Sequence, residues 1–195
     1  MGPTTYKESV GTRDPDDGVP PGDRADPLGS AAVLVSADGM ILCGRRSPHT
    51  DINPGKIFLF GGFLDPKDLS RPDPVVAGVR REIVEATGIP KDRLRDLICT
   101  GLLYDELLPH PELSFTARTR DTLPEVQART PQDREDAQLD GMPGSPDELA
   151  RWLPDQQDEL VNTALGFLLL NGRHAFGDRW YEATVDALDG GPIGN

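Results

Sequence analysis

Between Asp73 and Gly88 the chain carries a helix whose two ends are written into the sequence, and that helix constrains the rest of the fold. Asp73 followed by Pro74 is an N-cap and first-turn pair, and Gly88 is the residue type that most readily closes a helix in a left-handed conformation. Val76, Val79, Ile83 and Ala86 recur at helical spacing and form one apolar stripe suited to packing on a sheet. Directly upstream, "KIFLF" reads as a short buried strand that runs into Gly61-Gly62, where backbone can pass close to a helix or a ligand.

The flanking segments are mostly strands. "AAVLVSADGMILCG" is two β-prone runs joined by a hairpin at Ala37-Asp38-Gly39. "DLICTGLLYD" and "ELSFTART" predict two further strands, a polar stretch from about 119 to 137 predicts a loop or a marginal helix, and "QLDGM" a last short strand. Helices follow over Pro146 to Trp152, over Pro154 to about Asn171, and around Trp180 to Leu188. Strands around one central helix, with helices at the end, predict a single α+β domain, an α/β/α sandwich on a mixed central sheet, spanning 29–190. Residues 1–28, rich in Pro, Gly and Asp, predict a disordered or loosely draped tail, and 191–195 a second one.

Composition excludes some classes of function. The formal net charge of −13 repels a phosphate backbone, so no nucleic-acid partner is expected, whereas a small anion remains acceptable if metal neutralises the local field. No apolar run is long enough to span a bilayer, "ALGFLLL" being the best, and "MGPTTYKESVGTRDPDDG" lacks the pattern of a signal peptide. No membrane contact and a cytoplasmic location are the expectation. Cys43 and Cys99 sit in apolar runs and are expected to be buried, reduced thiols.

The polar face of the central helix carries the chemistry. Glu82 and Glu85 share one face, and Arg81 lies one turn from Glu85. Two carboxylates there form a hard-oxygen cluster suited to Mg²⁺ or Mn²⁺, and Asp65 and Asp68 add acid just before the helix. Taken alone, such a face is more often merely solvated. In this order, behind Gly61-Gly62 and ahead of Gly88-Ile89, the pieces resemble the signature of the Nudix hydrolases. That signature is a Gly, five residues, a Glu, seven residues, then Arg-Glu-aliphatic-x-Glu-Glu-x-Gly-aliphatic. Gly62 takes the opening glycine, Asp68 the first glutamate, and Arg81, Glu82, Ile83, Glu85, Gly88 and Ile89 the closing half, within a box spanning 62–89.

The resemblance covers roughly 30–172 and implies an α/β/α fold that cleaves a diphosphate linked to another moiety, with Mg²⁺ or Mn²⁺ as cofactor. It implies Glu82 and Glu85 as metal ligands or their close support, Arg81 as the residue that orients them, Gly62 as room for the loop, and Gly88 as box structure. Three departures stand out. Twelve residues separate Asp68 from Arg81 where seven are usual, so five look inserted in the loop. Phe60 replaces the usual proline, and Ala86 replaces the last glutamate, typically a principal metal ligand. Glu135, in "REDAQLDG", is the favoured substitute acid, ahead of Asp136, Asp140, Glu112 and the Asp105-Glu106 pair.

"ILCGRRSPHTDINPGKIFLFGG" resembles the branch that cleaves UDP-glucose and related nucleotide sugars, which places Arg45 and Arg46, with Gly61 and Gly62, at the substrate phosphates. The implied partner is a small nucleoside diphosphate derivative. The alternative is a Nudix-fold binding module that no longer hydrolyses, which Ala86 favours. A third reading is a scaffold whose C-terminal helices, with Trp152, Leu165, Leu168 and Trp180, form a homodimer face.

Overall fold

The computed structural model describes residues 4–12, 14, 18–50, 52–105, 110–131 and 138–190. Strand β1 (Gly29–Val35) is the axis of the molecule, buried along almost its whole length as a strand covered on both faces must be. It turns into β2 (Met40–Arg45) through a hairpin in which the Ser36 N–H donates to the Met40 carbonyl at 2.8 Å and Gly39 adopts φ +83°. On its other side β1 pairs in parallel with β6 (His110–Thr119), and β6 pairs antiparallel with the edge strand β5 (Leu94–Asp105). β7 (Gln138–Pro143) pairs antiparallel with β2. One parallel pair among antiparallel ones makes this seven-stranded sheet mixed, as expected.

The run "KIFLF" is not one strand. β3 (Ile57–Phe58) pairs with β2, whereas β4 (Phe60–Phe63) pairs with β1, and Leu59 stands between them. β2 and β4 therefore share one edge of β1, and the chain steps from one partner to the next at Leu59. Among the described residues β4 pairs with β1 alone, so its far edge is open.

Helices cover both faces. On one, α2 (Pro74–Thr87) and α3 (Leu123–Gln127) close over Leu34, Phe60, Val79, Ile83, Ile89 and Phe115. On the other, α4 (Pro146–Gln156), α5 (Asn162–Phe176) and α6 (Asp178–Asp189) pack over Val33, Ile41, Leu153, Phe167 and Leu168. The fold is thus α+β, an α/β/α sandwich with two cores separated by the sheet.

Local rules account for the ends of α2. The Asp73 side chain accepts from the Val76 N–H, Pro74 occupies the first turn, and Gly88 takes φ +69° while its N–H bonds the Val84 carbonyl. The polar stretch after β6 holds α3, made stable at this short length by a capping box between Thr122 and Glu125. Pro154 does not break a helix as the sequence suggests. It lies in the last turn of α4, where it forfeits one hydrogen bond only, and α5 starts later, at Asn162.

In the N-terminal segment α1 (Tyr6–Thr12) forms, and Thr12 accepts from Arg24 at its carbonyl and from the Ala25 N–H at its hydroxyl. Of the four residues read as a dimer face, one is buried outright and three are partly covered within the chain. Leu168 is fully buried, and Trp152, Leu165 and Trp180 pack against the same core, with Trp180 Nε1 donating to the Pro146 carbonyl. Of the two thiols only Cys43 is buried; Cys99 is exposed, because it lies on the edge strand β5. No helix among the described residues is long and apolar enough to cross a membrane.

Candidate active site

Arg81 is the hub of the site. Its Nη1 donates to Glu82 Oε1 at 2.7 Å and to Glu85 Oε2 at 2.9 Å, while Nη2 donates to Asp68 Oδ2 at 2.9 Å. The guanidinium side chain is 16% exposed, and Asp68 opposite it is 5% exposed. One arginine thus gathers three carboxylates, two from its own helix and one from the loop before it.

The inserted residues do not disturb this. A 3-10 turn at Asp68–Ser70 points Asp68 back at α2, and residues 69–73 take up the added length on the surface. Lengthening a surface loop costs little closure entropy, so Asp68 reaches its partner despite the extra chain. Asp65 braces the turn rather than the arginine: its Oδ1 accepts from the Lys67 N–H at 2.8 Å, and its carbonyl accepts from the Asp68 N–H at 2.8 Å. Gly78 lets Asp68 approach, since a Cβ there would stand 3.3 Å from Asp68 Oδ2.

Gly62 has a comparable role. A Cβ on it would meet Glu82 Cδ at 2.7 Å, so glycine leaves that carboxylate its place above β4. Its neighbour Gly61 faces the other way, where a Cβ would collide with the Ser30 carbonyl and with Ala31. The two glycines thus let β4 lie tight against both α2 and β1. Phe60, standing where the resemblance expects proline, fills the core beneath α2.

The two best-enclosed acids titrate in opposite senses. Hydrogen bonds from Arg81 hold the Asp68 carboxyl below the usual range against the cost of its burial. Burial pushes the Glu82 carboxyl up, and Arg81 only partly opposes it. Asp68 is therefore a committed ion-pair partner, whereas Glu82 carries a charge that its surroundings do not fully satisfy.

The free oxygens decide whether a divalent cation fits. Glu82 and Glu85 each give one oxygen to Arg81, and the other oxygen, Oε2 of Glu82 and Oε1 of Glu85, accepts no hydrogen bond among the described residues. Two such carboxylates suit Mg²⁺ or Mn²⁺, since Mg²⁺ commonly takes one or two carboxylates and completes its shell with water and substrate phosphate. No group of three or more His, Cys, Asp or Glu side chains converges as a metal cluster among the described residues. Ala86 explains the shortfall: it packs partly buried against the core under α2.

The other sequence candidates fall elsewhere. Glu135 and Asp136 lie outside the described residues, as does Glu106. Asp140 is exposed on β7 and accepts from the Gly141 N–H. Glu112 bonds His110 at 2.7 Å and lies against Gly29, on the sheet face away from α2. Arg45 is diverted into bracing, donating to the Gly55 carbonyl at 2.8 Å and to Glu159 at 3.0 Å.

Arg46 is placed differently. Its guanidinium lies 5.6 Å from the centre of the Phe58 ring, and its Nε is buried with no hydrogen-bond partner among the described residues. It lines a cavity of about 130 Å³ at the step between β3 and β4, walled by Phe58, Leu59, Gly61, Thr163, Ala164 and Phe167. Gly61 borders this cavity and Gly62 the carboxylate cluster, on opposite faces of β4.

Comparison with solved structures places the fold. The chain superposes on the MutT protein from Methanosarcina mazei Go1 with a TM-score of 0.53 at 19% identity, over 77% of this chain and 98% of that one. It matches the NUDIX domain of Shewanella oneidensis NrtR, solved with ADP ribose, with a TM-score of 0.52 at 20% identity, over 88% and 99%. A bifunctional NMN adenylyltransferase/ADP ribose pyrophosphatase from Francisella tularensis matches at 0.52 and 14% identity, over 78% of this chain and 42% of that one. No protein-family profile and no curated protein matches the sequence. The chain has the Nudix fold.

Proposed function

We propose that the protein is a metal-dependent Nudix-type hydrolase that cleaves the diphosphate linkage of a nucleoside diphosphate derivative, with a nucleotide sugar as the favoured class. One observation carries this reading: Arg81 holds Glu82 and Glu85 side by side, each with one oxygen turned loose, beside a glycine that keeps the approach clear.

The chemistry is addition of water to one phosphorus and rupture of the anhydride P–O bond, giving two phosphate monoesters. Glu82 and Glu85 would hold Mg²⁺ or Mn²⁺, which neutralises the diphosphate and lowers the pKa of bound water. Arg81 positions both carboxylates and, spent on three acids, is not available to the substrate. The open edge of β4 at Gly61-Gly62 offers backbone groups to the phosphates without side chains in the way.

Ala86 supports a second reading, a module that binds the nucleotide without cleaving it. Incubating the protein with a panel of nucleoside diphosphate compounds and Mg²⁺ or Mn²⁺, with chelator controls, separates the two. Release of a monophosphate that stops with chelator supports the hydrolase. A melting shift with ligand but no turnover on any compound leaves the binding module. Ala86→Glu is expected to increase metal-dependent turnover, at about 1–2 kcal/mol of stability for placing a polar group beside the core.

A further inference from the structure

Where β5 starts and β6 ends, the chain sets arginine opposite arginine. Arg95 on β5 and Arg118 on β6 are paired directly across the strands, so their side chains leave the same face of the sheet, with Cβ atoms about 5 Å apart. That face is the one α5 covers, because Val35 on β1 pairs with Arg118 and packs against the core that holds Phe167 and Leu168. Arg120 follows two residues on and stays beside the start of β5. Its N–H donates to the Arg93 carbonyl at 3.2 Å, and Arg93 Nη2 donates back to the Arg120 carbonyl at 3.3 Å. Arg93 is engaged by Asp121, whereas the side chains of Arg95, Arg118 and Arg120 are exposed and make no hydrogen bond or ion pair among the described residues.

Like charges directly opposite each other destabilise a strand pair. Here they stand together in a protein of net charge −13, and the acids nearest in the chain do not pair with them. A bulge lies directly after Arg95: Asp96 and Leu97 together face Ala117, and Asp96 takes φ +52°. Leu97 turns into the core under α2, and neither Asp96 nor Asp92 makes an ion pair among the described residues.

A compact anion supplies the missing partner. Guanidinium groups grip phosphate oxygens bidentately, and two on adjacent strands can close on one phosphate from both sides. Arg120, one strand repeat of about 7 Å beyond Arg118, reaches a second phosphate linked to the first. The surrounding charge limits the ligand's size: a nucleic acid or an acidic protein extending past the patch meets a surface of its own sign. We propose that Arg95 and Arg118, with Arg120, form a binding site for the diphosphate group of a small molecule, on the face of the sheet opposite the carboxylate cluster. The site is independent of the hydrolase reading, since α2 and its carboxylates lie over the other face.

The test uses the full chain with a chelator present, so that the carboxylate cluster holds no metal to recruit phosphate. Inorganic pyrophosphate, UDP, ADP and sulfate are titrated by calorimetry into the native protein and into an Arg95→Gln, Arg118→Gln double variant. Pyrophosphate, UDP and ADP are expected to bind alike and about tenfold more tightly than sulfate, and the double variant to lose about tenfold in affinity for all three. Arg120→Gln, beyond the strand end, should weaken them severalfold. Arg46→Gln, at an arginine whose side chain also makes no ion pair among the described residues, should leave them unchanged. The double variant removes a like-charge pair, so its unfolding midpoint without ligand should equal or exceed the native one, and pyrophosphate should raise the midpoint of the native protein alone. Pyrophosphate bound no more tightly than sulfate, or bound equally by native protein and double variant, overturns the proposal. So does a double variant that unfolds at a lower temperature, which would make the arginines part of the framework. One nucleotide bound tightly beside weak pyrophosphate would show that a base is read rather than the diphosphate, and overturns it as well. Loss of the hydrolase reading, with no compound turned over in the presence of metal, leaves every one of these outcomes as it stands.

Discussion

Two arginine–carboxylate clusters flank α2, and they are built in opposite proportions. At the cluster near Gly62, one arginine serves three acids, Asp68, Glu82 and Glu85. Just past the C-terminal end of α2, one acid, Asp121, meets two arginines, pairing with Arg93 and accepting from Arg129 Nη2 at 2.7 Å. Gly88 lies against this second cluster, since a Cβ on it would approach the Thr130 carbonyl and the Arg129 side chain. Asp121 has essentially no exposure, and its carbonyl accepts from the Ala37 N–H, so it joins the β1–β2 hairpin to the end of β6. A buried acid with an excess of cation around it suits a fastener. A partly exposed arginine with an excess of acid around it leaves negative charge pointing outward, which suits a seat for a cation.

Substitutions should separate these roles, and the largest effect is expected at the fastener. Asp121→Ala leaves two arginines without their shared partner and is expected to cost about 3 kcal/mol, read by denaturant unfolding. The metal affinity of the folded protein should not change; a loss of metal binding without a loss of stability would reverse the assignment. At the other cluster Gly62→Ala should do the opposite. Its methyl group would displace the Glu82 carboxylate, so turnover is expected to fall about tenfold, roughly 1.4 kcal/mol in barrier, with unfolding little changed. The smallest effect concerns the thiols. Burial pushes the Cys43 thiol up to about 12, and nearby Asp140 adds to this, so Cys43 stays protonated at pH 8. A thiol reagent at that pH should label the exposed Cys99 alone until the protein is unfolded, and two fast-reacting thiols would contradict the burial of β2.

What could be read from the sequence was local. Asp73-Pro74 and Gly88 delimit α2 because caps act within one turn, and the alternation of apolar segments gives the strand order its raw material. The carboxylate cluster was legible for the same reason: Arg81, Glu82 and Glu85 lie on one helix at contact spacing. What failed depends on neighbours distant in sequence. Leu59 divides "KIFLF" because β1 offers one edge to two successive partners, which no local pattern records. Cys99 looks buried by composition, and only the strand order puts it at an edge. Arg45 and Arg46 are adjacent and chemically identical, yet Glu159 claims one and the cavity beside α5 keeps the other. The fastener at Asp121 was missed because its three members come from separate loops.

Binding of Mn²⁺ tests the central claim most directly, because it reads the cation seat without requiring the correct substrate. Titrated by electron paramagnetic resonance, the native protein is expected to bind Mn²⁺ at a site that Mg²⁺ competes for. The Glu82→Gln, Glu85→Gln double variant should lose that site, with its unfolding midpoint little changed, and Asp121→Asn should keep it. Equal Mn²⁺ binding by the native protein and the double variant would show that the carboxylates gathered by Arg81 are not the metal seat, and would contradict the account.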